Sequence, residues 1–427
     1  MTAVKYYTNL MQGAPQLANT WGCMIPLLDA CLVTGFNEAA VSSISRVGNI
    51  ATVSIDAGHS YQVNQVLAIA GADQIEYNGE FRVLSVTATT FTCTITGTPV
   101  TPSTGAAITV KVAPLGFEKV FSGTDKGVYR SKNVLSNRPY LRVDNSKAPQ
   151  YNDTWAKKAR VGIAQNMSDI DTVVGAQAPY DPLLPNKNWE TTGDTDSVNV
   201  VDGWYQWYYA RRIEGYDDRT PPANWDRPWV LVGDDRGFYL FNEQDLYAND
   251  SVKGRGGYCF TDFDSYRQSD SFNTLLAASD FHASVSSGPP AGGAATYNNF
   301  NRSLDFTGKI LMRDHTLLGG NQRVGITSLN TNNGQTVSGR VTGIPFPNPV
   351  DNSLILHPTF LMQESGKGLR GKLPGLMWVH NDNPLQDLGI VENVAGYADR
   401  KFLMIRMNTI NEGASSVMAL DITGPWW

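Results

Sequence analysis

The sequence predicts a mainly β protein with a small β-sandwich or barrel module, a larger β-sandwich domain with long loops, and one short N-terminal helix. Apolar residues recur at spacings of two in short stretches bounded by Gly, Asn, Asp and Pro, most clearly over residues 44–110. Only one short segment, within residues 15–36, has a helical pattern. A chain of 427 residues is long enough for two or three domains and a sizeable core.

Residues 1–43 predict an extended arm followed by a helix. Ile25, Leu28 and Leu32 form one apolar stripe, and Gly35 suits the end of the helix. The arm carries large apolar side chains that need a partner, which could be the rest of this chain or a neighbouring molecule. These side chains are Tyr6, Tyr7 and Met11.

The rest of the chain divides into residues 44–113, the small β module, and residues 114–427, a large β-rich domain with loop insertions at about 175–226 and 284–300. Residues 227–241, RPWVLVGDDRGFYLF, predict a hairpin of two apolar strands around a turn. Later strands are predicted at 309–313, 340–344, 352–362, 401–408 and 416–422.

Composition argues against several functional classes. Charged residues make up 17% of the chain, the net charge is -6, and Lys and Arg do not cluster, so nucleic acid is not an expected partner. The sequence has no pattern of a signal peptide or membrane span, so neither export nor membrane insertion is expected. The cysteines are irregularly spaced and predict reduced thiols, consistent with assembly in the cytoplasm: Cys23, Cys31, Cys93 and Cys259.

The most catalytic-looking string is GKGLRGKL at residues 366–373. It matches GxGxxG and nearly matches the phosphate-binding loop that precedes a helix. However, Leu373 stands where that loop requires Ser or Thr, and Pro374 and Gly375 would interrupt the helix. A glycine-rich loop between strands is therefore the favoured interpretation.

Other chemistry-bearing residues form no convincing constellation. The histidines are scattered without metal-ligand spacing: His59, His282, His315, His357 and His380. Paired aspartates fit turns better than a calcium loop, and facing carboxylates for glycoside hydrolysis remain a minor alternative. No GxSxG motif is present. The sequence thus predicts no catalytic, cofactor-binding or metal-ligating residues, and no enzyme.

Aromatic residues are dense over residues 189–229, and the secondary structure of residues 197–212 stays open on periodicity alone. The favoured interpretation is the core of a β domain; contact with a neighbouring subunit and stacking on a glycan are the alternatives. A double Trp at the end of the sequence is costly to leave in water. The candidate interface residues are Tyr6, Tyr7, Met11, Trp204, Trp207, Tyr208, Trp426 and Trp427.

Several strings together give the chain a recognisable likeness: VKYYTNLMQGAPQLANTWGCMIPLLDACLVTGF, AGHSYQVNQVLAIAGA, YNGEFRVLSVTATTFT, RPWVLVGDDRGFYLF, LPGLMWVHNDNPLQ and ALDITGPWW. The chain resembles a family of virion structural proteins of tailed bacteriophages, most strongly over residues 4–130. The resemblance implies a component of the particle, usually encoded among tail and adsorption genes, without catalytic residues to transfer.

The expected function is therefore that of a non-enzymatic virion structural protein, in the tail or tail tip. It would assemble in the bacterial cytoplasm as a homo-oligomer with other virion proteins, through its arm, aromatic surfaces and strand edges. Two alternatives are a head or neck decoration protein and an adsorption module that binds host-surface glycan. An enzyme that degrades that glycan is the last alternative.

Overall fold

The computed structural model describes residues 3–196, 200–212, 218–243, 255–280, 308–326, 353–363, 368–379, 386–408 and 415–427. Strands dominate these residues and form four antiparallel sheets, with a short helix near the start. The predicted mainly β fold is thus confirmed. The predicted loop at 284–300 and the predicted strand at 340–344 lie outside the described residues.

The first elements are strand β1 (Lys5–Thr8) and helix α1 (Met24–Leu28), which continues into a π-helical turn (Asp29–Thr34). Gly35 ends this turn at a φ of +72°, a conformation that glycine adopts without strain. The predicted helix is confirmed, and the side chains of its predicted stripe are buried: Ile25, Leu28 and Leu32.

The small module comprises β2 (Phe36–Ala40), β3 (Ser43–Val47), β4 (Ile50–Ser54), β5 (Val66–Ala70), β6 (Gly79–Val86), β7 (Thr90–Thr94) and β8 (Thr109–Val112). A 3₁₀ turn lies at Ile75–Tyr77. The strand order is β2-β8-β5-β6-β7-β4-β3. Only Val41 and Ser42 separate the two end strands β2 and β3, and no pairing between these two strands is described. We call this seven-stranded module the barrel, because its first and last strands are joined by two residues.

The next strands are β9 (Phe117–Gly123), β10 (Lys126–Ser131), β11 (Tyr140–Asp144), β12 (Lys157–Met167), β13 (Val173–Ala178), β14 (Thr191–Thr192), β15 (Val201–Asp202) and β16 (Tyr205–Ala210). They are followed by β17 (Trp229–Asp234), β18 (Gly237–Glu243), β19 (Arg255–Asp262), β20 (Asp264–Ser265), β21 (Thr274–Ala277) and β22 (Ser279–Asp280). The last are β23 (Lys309–Leu311), β24 (Gln322–Ile326), β25 (Leu356–Gln363), β26 (Leu369–Val379), β27 (Ile390–Val394), β28 (Tyr397–Asn408) and β29 (Ser415–Asp421).

These strands build two large sheets. The larger has the order β1-β17-β18-β19-β21-β23-β24-β25-β26-β29-β28-β27, with β20 also paired to β26. The second has the order β22-β16-β12-β11-β10-β9, with β13 also paired to β12. Strands β14 and β15 form a separate pair.

This topology differs from the predicted domain organisation in two places. Residues 1–43 are not a separate unit, because β1 is the edge strand of the larger sheet and β2 belongs to the barrel. The predicted insertion at 175–226 is not one loop either, because it contains β16, whose aromatic side chains are buried. The predicted hairpin is confirmed as β17 and β18, paired from Trp229 with Asn242 to Asp234 with Gly237.

Aromatic rings join the two large sheets face to face. Phe117 and Trp207 of the second sheet each lie about 6 Å from Phe238 of the larger sheet, with centroid distances of 6.2 and 6.0 Å. Trp207 also stacks on Tyr258 at 5.9 Å. These contacts make the large domain a β-sandwich with an aromatic centre.

Candidate functional site

The arm docks on its own chain. Tyr7 is fully buried, and its hydroxyl donates to the backbone oxygen of Ala113 in the barrel at 2.6 Å. The Tyr6 hydroxyl donates to the backbone oxygen of Val63 at 3.3 Å, and Met11 is also buried. Of the two partners left open by the sequence, the structure selects the rest of this chain, so these side chains are not available to a neighbour.

The aromatic segment is also internal. Trp207 and Tyr208 are buried on opposite faces of β16, because one face looks into the sandwich and the other is covered by loops. Trp207 Nε1 donates to the backbone oxygen of Ala277 at 2.9 Å. Trp204 is half-buried, and its Nε1 donates to Asp280 Oδ1 at 2.7 Å. The structure thus corrects the prediction of an interface here and supports the core interpretation.

A layer of paired charges covers the outer face of the second sheet. Asp218 lies 3.0 Å from Lys158 Nζ and 2.8 Å from Arg211 Nε, and it accepts a hydrogen bond from the Tyr208 hydroxyl at 2.6 Å. Burial alone would raise the pKa of Asp218, but the two cations hold it well below its ordinary value. This carboxylate therefore stays ionised, connects Lys158, Arg211 and Tyr208, and is poorly suited to proton transfer.

The last seven residues form a structure that we call the Trp clasp, Asp421–Trp427. Asp421 Oδ1 accepts hydrogen bonds from the backbone N–H groups of Thr423, at 2.8 Å, and Gly424, at 3.2 Å. Its Oδ2 accepts one from Arg400 Nη1 at 2.8 Å. Both carboxylate oxygens are thus used to turn the chain and to direct the two Trp side chains back onto the larger sheet.

Trp426 packs on Gly375, and the neighbouring indole leaves no room for a side chain at that position. Gly375 has a φ of +63°, and a Cβ built there would lie 2.1 Å from Trp426 Nε1. The same Nε1 donates to the backbone oxygen of Asp421 at 3.0 Å, and the indole lies 5.8 Å from the Tyr239 ring. Trp426 is therefore held in one orientation.

Trp427 remains 39% exposed and is the most accessible of the eight predicted interface residues. Its Nε1 donates to Asp234 Oδ2 at 2.9 Å, and the Arg236 guanidinium lies 3.8 Å from its ring centroid. Asp234 is buried in the turn of the β17–β18 hairpin, and burial, with the nearby charge of Asp235, raises its pKa to about 6.

The loop that carries two exposed apolar side chains contacts the same hairpin turn through Asn133. Asn133 Nδ2 donates to Asp235 Oδ2 at 3.0 Å, and Asn133 Oδ1 accepts the backbone N–H of Leu135 at 2.9 Å. This local turn leaves Val134 79% and Leu135 77% exposed. We use the name clasp face for Val134, Leu135, Arg236 and Trp427, which are linked to the β17–β18 turn by the contacts of Asn133 with Asp235 and of Trp427 with Asp234. Sequence reasoning missed Val134 and Leu135, although an apolar pair inside a short polar loop was the available signal.

A cleft of about 490 Å³ opens beside Trp426. Its walls come from the middle of β26, the turn between β27 and β28, and the Trp clasp. The lining combines aromatic and charged side chains, among them Lys372, Tyr397, Asp399, Arg400, Asp421 and Trp426. Sequence reasoning had singled out only Trp426 of these.

The remaining sequence motifs have simple structural outcomes. The described part of GKGLRGKL, from Gly368 on, leads into strand β26, so the predicted loop between strands is in part a strand. The four cysteines are unpaired, as predicted, and three of them are buried. In the described ranges, no three His, Cys, Asp or Glu side chains gather as a metal site requires. None of the helices described is long and apolar enough to span a membrane.

No family model matches the chain, and no curated protein matches it in sequence.

Proposed function

We propose that the chain is a non-enzymatic structural protein of a tailed-bacteriophage particle. Its place is the tail or tail tip, where it forms a symmetric oligomer and contacts other virion proteins. The resemblance to virion structural proteins supports this proposal, and the strings that carry it form ordered parts of the fold. The first of these strings contains β1 and α1. The string LPGLMW contains Gly375, on which Trp426 packs, and ITGPWW is the end of the Trp clasp.

The clasp face is the observation on which the proposal depends most. Val134 and Leu135 are held outward by a hydrogen-bonded turn, beside a hairpin that also fixes Trp427 and Arg236. Burying one such aliphatic side chain contributes roughly 1.5–3 kcal/mol. Repetition of a modest contact around a closed ring then gives a stable assembly.

This proposal moves the expected contacts from the arm to the surface. With the arm and the aromatic segment enclosed, the clasp face and the open strand edges supply the contacts between copies. In the described part of the chain, β9 pairs only with β10, and β27 pairs only with β28. Strand β27 carries an exposed Glu392 and a register shift at its end, features that oppose pairing with another strand. Strand β9 is thus the better edge for a second chain.

The test is the mass of the purified chain in solution, measured by analytical ultracentrifugation over a range of concentrations. The wild type is expected to associate, and the double variant V134D/L135D is expected to remain monomeric. V47D is the matched control, because Val47 is an equally exposed aliphatic side chain, 87% exposed, in β3 of the barrel. A wild type that stays monomeric throughout, or a V47D variant that dissociates equally, contradicts the proposal.

A further inference from the structure

The cleft beside Trp426 exists because β26 changes its partner in mid-strand. Lys372 pairs with Asp264 of β20, whereas Leu376 pairs with Leu420 of β29. On the other side, β25 pairs Pro358 with Met377 but Phe360 with Lys372, so several residues of β26 face a single residue of β25. This bulge interrupts the sheet, and the opening is fixed by backbone geometry.

Two aromatic side chains stand on the walls of this opening. Trp426 is held by its hydrogen bond to the Asp421 backbone and by its seat on Gly375. Tyr397 is half-buried and lies edge-on to Phe402 at 5.5 Å. Rigid, partly exposed rings of this kind offer apolar faces at little cost in conformational entropy. The C–H faces of a sugar ring match such surfaces.

The charged groups of the lining balance one another. Lys372 and Arg400 are the cations, and Asp399 and Asp421 are the carboxylates, so their formal charges sum to zero. Arg400 is oriented by Asp421 at 2.8 Å, while Lys372 keeps 43% of its side chain exposed. A balanced rim supplies hydrogen-bond donors and acceptors for hydroxyl groups without the positive excess that phosphate or acidic ligands need.

We propose that this cleft binds a neutral saccharide, with Tyr397 and Trp426 as stacking surfaces and the charged rim as hydrogen-bonding groups. Its volume of about 490 Å³ lies within the range of roughly 300–1,000 Å³ that is usual for small-molecule sites. The proposed glycan contact is therefore this cleft and not the aromatic segment around Trp207, which is enclosed in the fold. This inference does not depend on the oligomer, because the cleft is built by a single chain.

The experiment is a titration of the full chain with neutral trisaccharides of glucose, galactose and N-acetylglucosamine, followed through indole N–H signals in NMR. The Trp426 signal is identified by its loss in W426F. We expect saturable binding of at least one trisaccharide with a dissociation constant of about 1 mM or tighter. In Tyr397→Ala the affinity is expected to fall at least about tenfold, whereas Tyr397→Phe keeps the ring and the affinity.

Tyr266→Ala is the matched control, because Tyr266 is an exposed tyrosine outside the cleft lining. Unshifted indole signals of the other tryptophans show that each variant is folded. Absence of binding by all three trisaccharides overturns the proposal, as does equal binding by Tyr397→Ala. A preference for trigalacturonate or for an uncharged peptide over every neutral sugar also overturns it.

Discussion

Replacing Gly375 by Ala tests whether the Trp clasp is a fixed part of the fold. The position combines a φ of +63° with an indole nitrogen 2.1 Å from the site of the new Cβ. Gly396, in the turn between β27 and β28, is a matched control. It has a φ of +81°, lines the same cleft, and has open space where a Cβ would stand.

The two substitutions share one cost and differ in another. A left-handed backbone costs a non-glycine residue about 1–2 kcal/mol, and both variants carry this cost. Gly375→Ala also displaces Trp426, which loses its hydrogen bond to the Asp421 backbone, worth about 0.5–1.5 kcal/mol, and part of its packing. We therefore expect Gly375→Ala to lower the free energy of unfolding by about 1–3 kcal/mol more than Gly396→Ala.

The assay is chemical unfolding of both variants, combined with hydrogen exchange at the amides of Thr423 and Gly424, which donate to Asp421. Faster exchange at these amides is expected in Gly375→Ala alone. Equal unfolding free energies for the two variants, with unchanged exchange in the clasp, would refute the reasoning. Such a result would mean that the Trp clasp does not stabilise the fold.

Three further predictions concern Asp234, the pair Trp207 and Trp427, and Tyr7. Burial raises the folded pKa of Asp234 to about 6, above roughly 3.9 in the unfolded chain, so the contribution of this group to stability is present below about pH 4 and is lost as the pH rises through 6. In unfolding experiments, the stability of the wild type relative to Asp234→Asn should therefore fall by about 2 kcal/mol as the pH rises from 4 to 7. Trp207→Ala should cost about 3–5 kcal/mol of unfolding free energy, whereas Trp427→Ala should leave the fold intact and weaken association in ultracentrifugation. Tyr7→Phe should cost about 1–2 kcal/mol in chemical unfolding, because the buried oxygen of Ala113 loses its donor.

Local patterns predicted the elements that are determined locally. The β17–β18 hairpin, the helix that ends at Gly35 and the strands of the barrel each depend on turn residues and on the spacing of apolar residues. The small module was predicted as a sandwich or a barrel, and the short link through Val41 and Ser42 joins its two end strands.

Long-range pairing explains what the sequence could not predict. Lys5–Thr8 read as an arm because its partner, β17, lies more than 200 residues away along the chain. For the aromatic residues of β16 the sequence favoured a core but left surface roles open, because nothing local shows that loops cover their second face. The cleft depends on the change of partner in β26, which is a property of three other strands and not of the LPGL string alone.

A reconstruction of the tailed-bacteriophage particle that we propose as the location of this chain tests the central claim most directly. We predict several symmetry-related copies in the tail or tail tip, with Val134, Leu135 and Trp427 in contact with another chain and Trp207 enclosed within its own. Copies on the head surface would support the decoration alternative instead. Absence of the chain from purified particles, or a clasp face open to solvent in every copy, would contradict the account.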